Sequence, residues 1–182
     1  KSNFSKALGN IYVDVRILNS LNYRLNLAGE TSLDHTNNVR KLGIFYWNQA
    51  EKPTSVDETR GQFLSTMVEH TLNFNQRFNE HSISAVIGLS DQTIRDEVST
   101  ASRTNLAVYG GQYFTTINSA TGAYGASGSA GTTYVNSYFG RVNYSFREKY
   151  LASLTFRSDK SSLFSPRFRR GYFPSAAVSW RI

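Results

Sequence analysis

The stretch Tyr138 to Phe156, YFGRVNYSFREKYLASLTF, decides how the rest of the chain is read. As far as Phe146 it alternates: Tyr138, Val142, Tyr144 and Phe146 take one side, and Arg141, Asn143 and Ser145 the other. A short charged turn, Arg147-Glu148-Lys149, follows. The alternation then resumes with Tyr150, Ala152, Leu154 and Phe156, opposed by Ser153, Thr155, Arg157 and Asp159. A period of two puts successive side chains on opposite faces of an extended strand. Two such runs joined by a tight turn form an antiparallel hairpin.

The same grammar extends outward in both directions. Ile11, Val13, Val15 and Ile17 share a face, and after a turn at 19–22 so do Tyr23, Leu25 and Leu27. Leu64, Val68, Leu72 and Phe74 lead through a turn near 77–81 into Ile83, Ala85, Ile87 and Leu89. A last run sets Tyr172, Ala176, Val178, Trp180 and Ile182 against Ser175, Ser179 and Arg181. These runs predict seven strands of about ten residues joined as up-and-down hairpins. The intervening connections, near 34–62, 90–136 and 158–171, read as long loops at one end of the sheet. Within them, Ser55-Val56-Asp57-Glu58 fits a capping box and predicts a short helix. The low-complexity run TGAYGASGSAGTT at 121–133 predicts a mobile loop tip.

Composition narrows the classes. The chain has 182 residues, no cysteine, 14% aromatic residues and a formal net charge of +7. Without cysteine it has no disulfide scaffold, thiolate metal site or cysteine nucleophile. No apolar run approaches the roughly 18 to 20 residues of a membrane-crossing helix. The basic residues are dispersed, so charge alone names no partner.

Alternation leaves two all-β architectures open. A water-soluble sandwich buries its apolar face between two sheets. A barrel in lipid turns that face outward and keeps a polar lumen. Short turns at one end, long loops at the other, and aromatics near the short turns (Tyr23, Phe74, Phe78, Phe146, Tyr150, Trp180) favour the barrel.

The words Ser137-Tyr138-Phe139-Gly140-Arg141-Val142-Asn143-Tyr144 and Lys149-Tyr150-Leu151 resemble the SusC/RagA family of TonB-linked outer-membrane transporters. So do Arg157-Ser158-Asp159-Lys160-Ser161-Ser162-Leu163-Phe164, Gly171-Tyr172-Phe173-Pro174-Ser175 and Trp180-Arg181-Ile182. The family pattern R-x-D-G-S-S-R-F is broken at Lys160 and Leu163, and Arg170 stands where an aromatic commonly precedes Gly-Tyr-Phe-Pro. The resemblance spans essentially the whole chain. It implies an antiparallel portion, about seven strands, of a barrel of about 22 strands whose lumen holds a plug. With no plug-like segment or TonB box in residues 1–182, the expectation is a partial barrel from a larger receptor. The resemblance further implies a bacterial outer-membrane location and import of glycans or oligopeptides. Its implied partners are a SusD-like surface lipoprotein as lid, TonB through an N-terminal part outside this stretch, and outer-membrane lipid. Nucleic acid is not an expected partner. The alternative function is a secreted or surface β-sandwich that binds carbohydrate as an adhesin.

Catalysis finds no constellation. His35, His70 and His81 are scattered without metal-binding spacing, and no Gly-x-Ser-x-Gly elbow exists. Gly128-Ser129-Ala130-Gly131 lacks the Lys-Ser/Thr of a phosphate loop. No enzyme activity and no cofactor are expected. His70 reads as a structural residue on the apolar face, and His81 as a solvated turn residue. By alternation Glu69, Asn73, Arg141, Asn143, Arg157 and Asp159 face the lumen and are the candidate substrate path, although any wide barrel needs a polar lining. Arg157 and Asp159, two apart on one face, should pair and pin the loop that follows. The aromatics Tyr46, Trp47, Tyr109, Tyr113, Phe114 and Tyr124 fall in the long loops, where they could stack on sugar rings. The run Arg167-Phe168-Arg169-Arg170 reads first as a solvated loop.

Overall fold

A computed structural model describes residues 1–42 and 52–182. Its strands in chain order are β1 (Ser2–Leu18), β2 (Leu21–Arg40), β3 (Ser55–Phe78), β4 (His81–Thr104), β5 (Val108–Tyr109), β6 (Gln112–Tyr113), β7 (Tyr124–Phe146), β8 (Tyr150–Ser161) and β9 (Arg170–Trp180). Seven of them form one sheet, in the order β1-β2-β3-β4-β7-β8-β9, while β5 and β6 make a separate two-stranded ribbon. Neighbours in the large sheet are neighbours in sequence, so the up-and-down reading holds. The chain divides into two compact units. One comprises Lys1–Ala7, Thr31–Leu64 and Arg95–Gly131, and the other Leu8–Glu30, Ser65–Ile94 and Thr132–Ile182.

In the second unit the register confirms the faces. Val142 pairs with Leu154, Tyr144 with Ala152 and Phe146 with Tyr150. Across the next ladder Tyr150 pairs with Trp180, Ala152 with Val178 and Leu154 with Ala176. Directly opposed residues share a face, so these side chains build one apolar surface. That surface stays uncovered: Leu154, Trp180 and Ile87 are exposed, and Val178 is 87% exposed. A sandwich would bury such residues against a second sheet. Among the described residues the buried apolar set is Val56, Leu106 and Ala120 alone, which removes the sandwich.

The tight turns have a local cause. Asn79 takes left-handed backbone (φ 50°), as do Arg147 (φ 53°) and Glu148 (φ 55°). Two successive positive φ values suit the right-handed twist of a hairpin, though residues other than Gly and Asn resist them. Exposed ion pairs link this turn to its neighbour. Arg147 Nε lies 2.6 Å from Glu80 Oε2, and Arg77 Nη2 lies 2.7 Å from Glu148 Oε1. A backbone bond from Arg147 N to Glu80 O fastens the two turns together.

The first unit holds the chain's own apolar core. Val56, Leu106 and Ala120 pack together, with Val39, Tyr113 and Ile117 against them. The connection from β4 to β7 is folded onto this core. Leu106 N donates to Thr54 Oγ1 at 2.8 Å, and Asn105 N donates to Thr54 O. Gly110 and Gly111, both at positive φ, turn β5 into β6.

Several expectations are corrected. Five strands run 17 to 24 residues rather than about ten, because the ladder continues into stretches with no alternation. Most of the run at 121–133 is strand, since β7 starts at Tyr124. Its small residues permit close backbone approach: a Cβ on Gly128 would sit 3.0 Å from Val98 O. Ser55 opens β3, not a helix, and its Oγ donates to Asp57 Oδ2 at 3.2 Å. His81 is the first residue of β4, with its Nδ1 2.6 Å from Tyr144 Oη.

Candidate functional site

The polar face of the second unit gathers most of the residues singled out above. Ser137 pairs across the sheet with Asp159, Phe139 with Arg157, Arg141 with Thr155 and Asn143 with Ser153. Arg157 in turn faces Phe173 on β9. The guanidinium of Arg157 donates Nε to both carboxylate oxygens of Asp159 at 2.9 Å, and Nη2 to Ser137 Oγ at 3.4 Å. Ser137 is buried, so one end of this network is shielded from water. Above it, Tyr134 N donates to Ser162 Oγ, Ser162 N to Tyr134 O, and Ser161 N to Arg169 O. The Arg157–Asp159 pair therefore stands at the root of the 162–169 connection, where the sequence places it.

Arg141 donates Nε to Thr155 Oγ1 at 3.1 Å. Asn73 donates to Thr71 Oγ1 at 3.4 Å, along its own strand. Glu69 and Asn143 make no side-chain bond among the described residues. A second polar pair lies on β1 and β2: Arg24 grips Asp14 through Nε and Nη2, both at 2.7 Å, and covers the Tyr12 ring at 4.7 Å. Asn10 donates to Asn26 at 3.2 Å beside it. Two cation–carboxylate pairs on this face, Arg24–Asp14 and Arg157–Asp159, are internally compensated, while Arg141 and Glu69 have no ionic partner among the described residues.

Sequence reasoning missed two aromatics on the polar face. Phe139 lies over Gly88, where any Cβ would strike its ring, and the Phe173 ring lies over Gly171. They flank Arg157 from either side. The signal was available in the parity of Phe139 with Arg141 and of Phe173 with Ser175. On the apolar face His70 is held by Tyr23, whose Oη lies 2.7 Å from its Nδ1. This agrees with a structural role.

The loop aromatics separate in the first unit. Tyr109 (81% exposed) stands out on β5 and Phe114 just past β6, and Tyr124 (84% exposed) opens β7. Tyr113 packs on the Val56 core, with Lys41 Nζ 5.8 Å from its ring centre, so it is committed to packing. Tyr46 and Trp47 lie outside the described residues. Gly110-Gly111 between Val-Tyr and Gln-Tyr was the overlooked hairpin signal. The basic run is also partly committed: Arg169 Nε donates to Phe164 O, and Arg170 donates to Ser158 Oγ and covers Tyr138. Among the described residues no group of three or more His, Asp or Glu is placed to hold a metal.

No family model matches the chain. In sequence it is similar to TonB-dependent receptor P3 of Formosa agariphila, at 31% identity over 123 residues and 65% of this chain. TonB-dependent receptor P39 of the same organism matches 98% of the chain at 25% identity. TonB-dependent receptor SusC of Bacteroides thetaiotaomicron is 54% identical over 46 residues, 25% of this chain and 5% of SusC. In fold, the structure of the RagAB peptide transporter covers 96% of the chain with a TM-score of 0.80 at 16% identity, using 20% of that chain. In sequence the chain is thus similar to TonB-dependent receptors, SusC among them, and in fold to part of the RagAB barrel. It spans 12% of the length of P3 and 17% of P39. The departure from the resembled pattern at Lys160 sits directly across from the departure at Arg170. The two unusual cations therefore meet on one face at the top of the β8–β9 ladder.

Proposed function

We propose that residues 1–182 form part of the wall of an outer-membrane importer driven through TonB, with the plug supplied by other parts of the protein. The carrying observation is the two-faced sheet. An uncovered apolar surface runs along β7, β8 and β9, and its reverse carries Arg141, Asn143, Arg157 and Asp159. Such a sheet is stable where lipid meets the first face and a hydrated lumen the second.

On this reading Glu69, Asn73, Arg141 and Asn143 line the path of the cargo, while Arg157 and Asp159 position the connection after β8. Tyr109, Phe114 and Tyr124 present rings at the loop end. The cargo class is glycan or oligopeptide, and a SusD-like lipoprotein closes the outer mouth. SusC among the relatives and the peptide transporter among the structures support this class. The mechanism is binding and gating, with no bond made or broken. The test is growth on defined glycans and defined oligopeptides as sole carbon source, in a strain lacking the gene and in one lacking TonB. Loss of growth on one class in both strains is expected. Unimpaired growth on every such substrate contradicts the proposal.

A further inference from the structure

At the short-turn end, four charges cancel in pairs: Arg147 with Glu80 and Arg77 with Glu148. Lys149, in the same turn, has no carboxylate partner among the described residues. Its ammonium lies instead 5.8 Å from the centre of the Trp180 ring. Next to it the apolar face is grooved. Tyr144, Tyr150, Ala152, Val178 and Trp180 line an open groove. Its floor is the small residue Ala152, set between its cross-strand neighbours Tyr144 and Val178. Tyr150 Oη stands at the groove without a hydrogen-bond partner among the described residues. Tyr144 Oη is already engaged by His81.

An open apolar groove whose lining Trp180 lies under a cation without a carboxylate partner, and whose lining Tyr150 has a free hydroxyl, suits an amphiphilic anion. We propose that this groove binds an acyl chain of an anionic phospholipid, with the headgroup phosphate held by Lys149 and Tyr150. The proposal rests on the reading that this face meets lipid. Short turns in outer-membrane barrels face the periplasm, so the source is the phospholipid of the inner-facing leaflet and not lipopolysaccharide. The ring of Trp180 holds the ammonium close to the apolar surface, where an unpaired cation would otherwise stay in water. A juxtamembrane cation contributes enough affinity that losing it weakens binding about fivefold.

The test uses the full-length protein in detergent and a phosphatidylglycerol probe carrying a diazirine in its acyl chain, photolysed and mapped by peptide mass spectrometry. Label is expected on the peptides around Tyr150–Ala152 and Val178–Trp180. Lys149→Gln should lower it about fivefold, and Ala152→Phe, which fills the groove and keeps the cation, should abolish it. A diacylglycerol probe without phosphate should label weakly, and lipid A should compete poorly. Unchanged labelling in both variants, or efficient competition by lipid A, overturns the proposal. Each variant is first checked for detergent-dependent extraction and heat-modifiable gel mobility. A protein that is folded without detergent refutes the membrane reading itself. A folded barrel that labels without regard to Lys149 refutes only the lipid site.

Discussion

Apolar residues in this chain meet two different fates. Val56, Leu106 and Ala120 are buried by the chain itself, under a connection tied down through Thr54. Leu154, Val178 and Trp180 point from a regular antiparallel sheet and are left exposed by the described residues. Residue type is the same in both regions, so hydrophobicity alone does not say what covers a side chain. What differs is the backbone. The first cluster is assembled by irregular chain whose polar groups need individual partners. The second rests on regular ladders, in which β8 is paired on both sides and the outer edge of β9 is left for a further strand.

This contrast predicts a graded set of outcomes. Leu106→Ala opens a cavity that the connection cannot fill, and should cost about 2–5 kcal/mol of local stability. It would appear as new protease cleavage within residues 105–123 while the barrel stays folded. Leu154→Arg should cost about 2–4 kcal/mol if the face lies in lipid, measured by urea unfolding of the full-length protein from vesicles. In water the same change would cost almost nothing, so this variant separates the two regions most cleanly. Thr54→Ala leaves the buried Leu106 N–H without its acceptor and should cost about 1–3 kcal/mol. Protease sensitivity in the same connection reports it, and Thr54→Ser should restore protection.

The two regions also differed in how legibly they were written. The alternation in Tyr138–Asp159, though broken by Phe139 and Leu151, was enough to set the faces of β7 and β8 and to put Arg157 beside Asp159. The Val56 cluster was not readable that way. Val56 stood inside an apparent capping box, and Leu106 and Ala120 are separated from it by long sequence distances that only tertiary closure bridges. Strand length failed for a related reason. Thr31–Arg40 and Tyr124–Thr133 carry polar or small residues on both faces, so pairing to neighbouring strands, and not side-chain pattern, holds them extended. Tyr113 packs on that cluster, and an aromatic in a loop reads the same in sequence whether or not it does so.

The smallest effect expected is from Asp159→Asn. The pair is half-exposed, with side chains 51% and 33% accessible, and such pairs contribute about 0–1 kcal/mol. Global stability should barely change, while proteolysis within 162–169 should quicken if the pair pins that connection. An unchanged cleavage rate would reduce Arg157 and Asp159 to lining.

The central claim is that one face of this sheet meets lipid and the other water. Residues 1–182 contain no cysteine; single cysteines are placed at 152, 153, 154, 155 and 156 in the full-length protein in outer membranes, with the unsubstituted protein giving the background. Reaction with a membrane-impermeant, water-soluble maleimide then reads each position in turn. Labelling is expected at 153 and 155, and protection at 152, 154 and 156. Equal labelling at all five positions would contradict it.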